Sequence, residues 1–369
     1  MMKSKWAILS VLGAFLVLAV NSGLGAVNTG EIEEVRNKEV LDPDEDFRII
    51  DDFVAKAVRE LVRTRDSASI SKARTVILQR VSSNRPSAQA QYAAQFFESA
   101  YKYISEAFEQ ASELPADRKF TVTLNLLILV DHLENLQLAD LAIGMLKDEN
   151  TVIRYWAVHS VTNPAVASNP KLARKIAEQL KGLVASSGPE IIRLMAEFAA
   201  NVNIPQGEDL LLQIADMRIK RYADWTVEYE LLDATILSLL CKKLSSAGVS
   251  KPVIARHFGQ LYSYAIQRYV KGRNHLSAAQ KRQLASVLVE VEDNCVAKLL
   301  GRRQSTIKKA VEQGDYEALR LEHSRLLGEE AGAGKLARKL KFDYGKTPNG
   351  RSHTAPLLLR EPPKTGAGG

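Results

Sequence analysis

From residue 43 to residue 328 the apolar residues recur at helical spacing, and strand signals are almost absent. Phe53, Ala57, Val58, Leu61 and Val62 form one stripe, and Tyr92, Phe96, Ala100, Tyr103 and Phe108 form another. Leu124, Leu127, Ile128 and Leu133 belong to a helix apolar nearly all round, which implies deep burial. Pro86, Pro115, Pro164, Pro170, Pro189, Pro205 and Pro252 fall between the periodic segments and end them. Ser87, Asp117, Asn169, Asp224 and Ser277 sit where helices should start.

The spacing predicts about fourteen helices in pairs: 47–64 with 68–83, 86–111 with 118–134, 136–147 with 150–163, and 169–185 with 189–203. The last three are 207–221 with 224–246, 250–272 with 276–300, and 304–313 with 315–328. A period near forty residues points to stacked helical hairpins, because each pair can bury its apolar face only against its neighbours. A chain of 369 residues is also too long for one compact core. The expected fold is all-α, an α-solenoid (a superhelical array) of about seven hairpins.

One pair carries a sharper signature. Leu138 to Val161 reads LADLAIGMLKDENTVIRYWAVHSV, with Leu141 and Leu146 on the first helix and Asp148 at the turn. Ile153, Arg154 and Ala157 follow on the second helix, and Ile192, Arg193 and Ala196 repeat that spacing 39 residues later. This resembles a HEAT repeat of the armadillo-like helical class, over about residues 138–203. The resemblance implies that Asp148, Arg154 and Arg193 are structural and tie successive repeats together. The remaining hairpins share only the helical period.

The two ends differ in charge. Glu31 to Asp52 holds ten acids and three bases, and Lys335 to Gly369 holds eight bases and two acids. Residues 27–46 read as an acidic flexible leader and 329–369 as a basic, Gly/Pro-rich, largely disordered tail, leaving 47–328 as the helical-repeat domain. Leu357-Leu358-Leu359 is the one sticky spot in that tail. Residues 1–26 read as a secretory signal peptide: Lys3 and Lys5, an apolar run from Trp6 to Val20, then small residues up to Ala26. That run is too short for a membrane span, and no later segment is long enough, so the mature chain is expected to have none. An uncleaved N-terminal anchor is the alternative. The expected location is exported, periplasmic or extracellular. There Cys241 and Cys295 either pair or serve as two small buried hydrophobes.

Chemistry is sparse. Gly332-Ala333-Gly334-Lys335 imitates a dinucleotide fingerprint but follows a helix instead of a strand, and Leu336 stands where a P-loop needs Ser or Thr. His132, His159, His257, His275, His323 and His353 show no zinc spacing. No catalytic residue, cofactor site or metal site is therefore expected. Candidate partner-binding residues are Arg256, Tyr264, Arg268, Lys271 and Arg273, where bases interleave with aromatics, and Arg302 and Arg303 in a second basic cluster. The competing reading of the first strip is a core face plus a solvated face, since Phe258, Leu261, Tyr262, Ala265 and Tyr269 share one helical stripe.

The formal charge of +7 is too mild to argue for a nucleic-acid partner. The expectation is a non-enzymatic scaffold or protein-interaction module of the bacterial envelope, its partner unspecified. The alternatives are a glycan-acting enzyme on a helical toroid and adhesion to anionic envelope polymer.

Overall fold

Some helix starts carry side-chain caps that are legible one residue at a time. A computed structural model of the protein describes residues 27–245, 251–346 and 349–363. Residues 1–26, which carry the expected signal segment, and 364–369 lie outside the described residues. The elements are α1 (Gly30–Arg36), α2 (Asp46–Arg63), α3 (Ser67–Leu78), α4 (Gln89–Ser112), α5 (Ala116–Leu133), α6 (Leu136–Ile143), α7 (Thr151–Val161), α8 (Pro164–Ala167) and α9 (Pro170–Lys181). Then come α10 (Pro189–Asn201), α11 (Pro205–Ala223), α12 (Leu231–Leu244), α13 (Lys251–Lys271), α14 (Ala278–Val291), α15 (Ala297–Leu300), α16 (Thr306–Gln313) and α17 (Tyr316–Leu327). A two-residue hairpin, β1 (Gly328–Glu329) with β2 (Gly332–Ala333), leads to α18 (Lys335–Leu340). The described chain is all-helical apart from that hairpin and one bridge, Lys346 with Ser352.

The side chains of Asn135, Asn150 and Asn169 accept the first free N–H groups of α6, α7 and α9, and Pro170 fixes the start of α9. Ser277 and Gln280 form a reciprocal capping box on α14. Side-chain caps start α3, α6, α7, α8, α9, α14 and α17, whereas α4 starts after Ala88 with no cap from Ser87. Asp224, expected at a helix start, instead closes α11. The next helix begins only at Leu231, because Trp225 (φ 59°) and Tyr229 (φ 55°) take left-handed backbone in the connecting loop.

The helices alternate between two rows. In one, α3, α5, α7, α10, α12, α14 and α16 each touch the next. In the other, α2, α4, α6, α8, α9, α11, α13 and α17 do the same. Rungs such as α6 with α7, α10 with α11 and α12 with α13 join the rows over one continuous core.

Two expectations about the ends are overturned. The stretch 27–46 is not a flexible leader: Ile32, Val35 and Leu41 are buried, and Arg80 and Arg36 both pair with Glu33. Asp46, fully buried, takes Lys38 Nζ at 2.7 Å and the backbone N–H of Asp42 at 2.8 Å. The tail 329–363 is not disordered either. Leu336, Phe342, Tyr344, Pro356 and Leu359 are buried, so apolar anchors spaced along a polar, Pro-rich segment offset the entropy of ordering it.

Candidate interaction site

On α13, Arg256, Gln260, Ser263, Gln267 and Lys271 recur at three- and four-residue steps and therefore share one face. The opposite, apolar face carries Phe258, Leu261, Tyr262, Ala265 and Tyr269, all buried. In a two-row array the polar face would meet water. Here the chain's own C-terminal segment covers it, and α13 is buried on every side from Phe258 to Tyr269.

The cover has two parts. The first is apolar. Phe342 and Tyr344, their rings 5.2 Å apart, press on α13 at Gly259. A Cβ there would stand 3.0 Å from the Tyr344 hydroxyl and 3.1 Å from Phe342 Cζ, so glycine permits the approach. Tyr344 donates its hydroxyl to the Leu327 carbonyl at 3.0 Å, and burial pushes its pKa far up. Arg256 Nε donates to the Asp343 carbonyl at 2.8 Å and Nη2 to its carboxylate at 3.2 Å. Ser352 bonds the same carboxylate and, with Gly345 and the nearby Lys346, holds it below the usual carboxylate range.

The second part is polar. Leu357 N–H donates to Gln260 Oε1 at 2.8 Å, and Gln260 Nε2 donates back to the Leu357 carbonyl at 3.3 Å. Gln267 does the same two turns on: Oε1 accepts Leu359 N–H at 2.8 Å, and Nε2 donates to the Leu357 carbonyl at 3.1 Å. Lys271 Nζ reaches the Leu359 carbonyl and the Glu361 carboxylate, both at 2.7 Å. Trp225 Nε1 donates to the Arg360 carbonyl at 3.0 Å. Pro356 and Leu359 face inward, whereas Leu357 and Leu358 are 54% and 75% exposed.

Beneath the segment, Ser263 Oγ lies 2.8 Å from His323 Nε2 and accepts Gln267 Nε2 at 2.8 Å. Burial lowers the His323 pKa to about 4.

The candidate strip is thus internal. Arg256 and Lys271 hold the tail, and Tyr264, a candidate partner-binding residue, is buried. Arg268, 2% exposed, donates to the Val227 carbonyl at 3.2 Å and to Glu230 at 3.5 Å. Its guanidinium lies 5.2 Å from the Trp225 ring and 5.8 Å from the Tyr222 ring. Arg273 is exposed beside Tyr316, and Arg302 and Arg303 are exposed beyond α15. The sequence reading singled out the bases of this helix and missed Gln260, Ser263 and Gln267. Their signal is three polar residues on one helical face among aromatics.

The repeat signature splits. Ile153, Ala157, Ile192 and Ala196 are buried. Asp148 accepts the Asn150 N–H at 2.8 Å, and Arg154 donates to the Asp148 carbonyl at 2.9 Å, so both organise their own turn. Arg193 pairs along its own exposed helix face with Glu190 and Glu197.

Other polar clusters lie elsewhere. Arg218, Asp233 and Tyr222 form a buried triad. Asp131 accepts from His159 at 2.6 Å, and that hydrogen bond raises the histidine pKa. Cys241 on α12 and Cys295 in the π turn after α14 are neighbours. The Cys241 thiol, with burial, raises the Cys295 pKa, while the Cys295 thiol lowers that of Cys241. Both thiols are free and buried. A groove of about 1090 Å³ lies between α4 and α6, lined by Phe97, Glu98, Tyr101, Gln137, Asp140 and Leu172. Among the described residues no cluster of His, Cys, Asp or Glu is arranged to hold a metal ion, and no helix is long and apolar enough to cross a membrane.

No family model and no curated protein matches the chain. Among solved structures, an engineered protein from the Northeast Structural Genomics Consortium aligns over 84% of this chain and 92% of its own, at 12% identity and a TM-score of 0.25. A likeness that weak carries no argument.

Proposed function

We propose that the protein is an exported helical-repeat scaffold of the bacterial envelope, HEAT- or armadillo-like in architecture, that binds a protein partner and has no catalytic role. The observation that carries this reading is the serial packing: in each row every helix touches the next, and the rows share one core. Such packing supports a solenoid, which presents long lateral surfaces to partners. Fold class alone does not fix function. The converging acids, Glu230 and Asp233, lie at most 1% exposed against Arg268 and Arg218, so they serve the interior of the protein. The export assignment rests on the sequence of residues 1–26.

The test is site-directed photo-crosslinking in intact cells, with the probe at Tyr101 in the α4–α6 groove and, as a control, at Val40. The reading expects one discrete protein adduct from Tyr101, none from Val40, and a mature chain starting near Val27 in the exported fraction. A cytosolic chain with intact Met1 overturns the export assignment. Release of reducing ends from envelope glycan by the purified chain favours the enzymatic alternative. Salt-sensitive retention on anionic polymer without any protein adduct favours adhesion.

A further inference from the structure

We propose that the polar face of α13 is a peptide-binding groove, held in the resting protein by residues 354–361 of its own tail. The partner it fits is an extended peptide carrying Pro-x-x-Leu-x-Glu, the pattern of Pro356, Leu359 and Glu361. This deepens the interaction reading above and rests on it.

Three observations carry the proposal. The first is that the segment is recognised mainly through its backbone. Gln260 and Gln267 engage the N–H and carbonyl of Leu357 and the N–H of Leu359, and Lys271 and Trp225 take the carbonyls of Leu359 and Arg360. Main-chain bonds of this kind give affinity for any extended peptide, while the inward Pro356 and Leu359 and the Lys271–Glu361 pair give selectivity.

The second observation is a contrast along one helix. At Gly259 the cover is aromatic, with Phe342 and Tyr344 so close that a Cβ would stand only 3.0–3.2 Å from them. From Gln260 to Lys271 it is side-chain amide and ammonium against backbone. Uncovered, Gln260, Gln267 and Lys271 would bond to water, so this half of the helix tolerates opening where a leucine-lined face would not.

The third is anchorage. Phe342, Tyr344 and the Asp343–Arg256 pair fix the chain upstream, and Thr354 Oγ1 donates to the Glu329 carbonyl at 2.9 Å. Residues beyond Thr354 can therefore leave α13 while the preceding turn stays docked. Leu357 and Leu358 face out even when the segment is seated.

Competition in cis sets the numbers. A tethered segment acts at an effective concentration of order millimolar. A free peptide of ~10 μM intrinsic affinity is then weakened about a hundredfold while the tail is seated. The probe is a fluorescent synthetic peptide spanning residues 352–363, titrated against the full-length chain by polarisation. Leu359→Asp in the full-length chain releases the tail, and it should bind the probe at least tenfold tighter than the unaltered chain. Adding Gln260→Ala and Gln267→Ala should abolish that gain, and a probe carrying Leu359→Asp should not bind. Hydrogen exchange on the unaltered chain covers the case in which Leu359→Asp fails to fold: saturating probe should deprotect the Leu357 and Leu359 amides. The proposal is overturned if the amides stay protected at millimolar probe. It is overturned equally if the double glutamine variant keeps the gain, or if released tails only exchange between two copies without probe binding. Crosslinking at Tyr101 can fail while this binding persists, so the two readings fail separately.

Discussion

The guanidinium of Arg218 and the carboxylate of Asp233 form a two-point pair, Nε to Oδ1 at 2.7 Å and Nη2 to Oδ2 at 2.9 Å, with both side chains at most 1% exposed. The Tyr222 hydroxyl donates to Oδ2 at 2.7 Å, and the Glu228 carbonyl takes both Nη atoms at 3.1 Å. Each guanidinium nitrogen of Arg218 has a partner. Asp233→Ala leaves a buried cation unpaired, and urea unfolding should show a loss of about 3–5 kcal/mol. Replacing both partners, Arg218→Met with Asp233→Leu, should recover most of it. A double variant as unstable as the single one would show that the pair also fixes the strained loop at Trp225 and Tyr229.

Acid should weaken the fold through His323. Its folded pKa of about 4 lies below the ordinary value of 6.5, so the unfolded chain takes up a proton that the folded chain refuses. Stability is whole above about pH 6.5 and falls as pH drops toward 4, by on the order of 3 kcal/mol. His159 works the other way. Its pKa is raised by Asp131, so its contribution is present below 6.5 and fades as pH rises through its folded value. Thermal melts from pH 4 to 8 should show the acid loss in the unaltered chain and a flatter profile in His323→Gln.

The two thiols should bridge on oxidation. Cys241 and Cys295 would give two protons and two electrons to oxidised dithiothreitol and form one S–S bond. Thiol titration in denaturant should then find none left in the monomer, with about 2–4 kcal/mol of added stability from closing the long intervening loop. Two titratable thiols after prolonged oxidation would show that the π turn holds Cys295 in an orientation that cannot bridge.

Arg154→Ala should cost only about 1 kcal/mol, because the side chain is half-buried and bonds to carbonyls of its own turn. Arg193→Ala, on an exposed face, should fall within about 0.5 kcal/mol of the unaltered chain. A loss near 3 kcal/mol at Arg193 would restore the inter-repeat role that the family resemblance implies.

Gly259→Val should expel Phe342 and Tyr344 from α13. A branched Cβ meets ring atoms at 3.0–3.2 Å, and overpacking of this kind costs about 1–3 kcal/mol. Limited proteolysis should then cut beyond Leu340, where the unaltered chain resists.

The helices were legible because what makes them is local. The Asn150 cap lies two and three residues from the N–H groups it satisfies, and the stripe of Phe53, Ala57, Val58 and Leu61 repeats within two turns. The expected pairs of α2 with α3, α4 with α5, α6 with α7, α13 with α14 and α16 with α17 do pack together. The pair 169–185 with 189–203 does not, since α9 and α10 each pack mainly on α11. The sequence missed α1, α8 and α18, where short helices gain little from periodicity and depend on neighbours.

The candidate site was half legible. The apolar stripe from Phe258 to Tyr269 declares a core face, but nothing nearby in sequence says what meets Gln260 and Gln267. Their partners lie 97, 92 and 90 residues away. A Pro/Gly-rich tail has one composition whether it stays mobile or docks as an extended strand, because neither state needs internal hydrogen bonds. Local chemistry therefore determined most of the helices and some of their caps. Packing decided the pairing: α9 and α10 both pack mainly on α11, and α12 packs on α13 far more than on α11. Only the tertiary structure decided that the tail returns, since a backbone with no partners of its own takes them wherever the packed rows leave amides facing out.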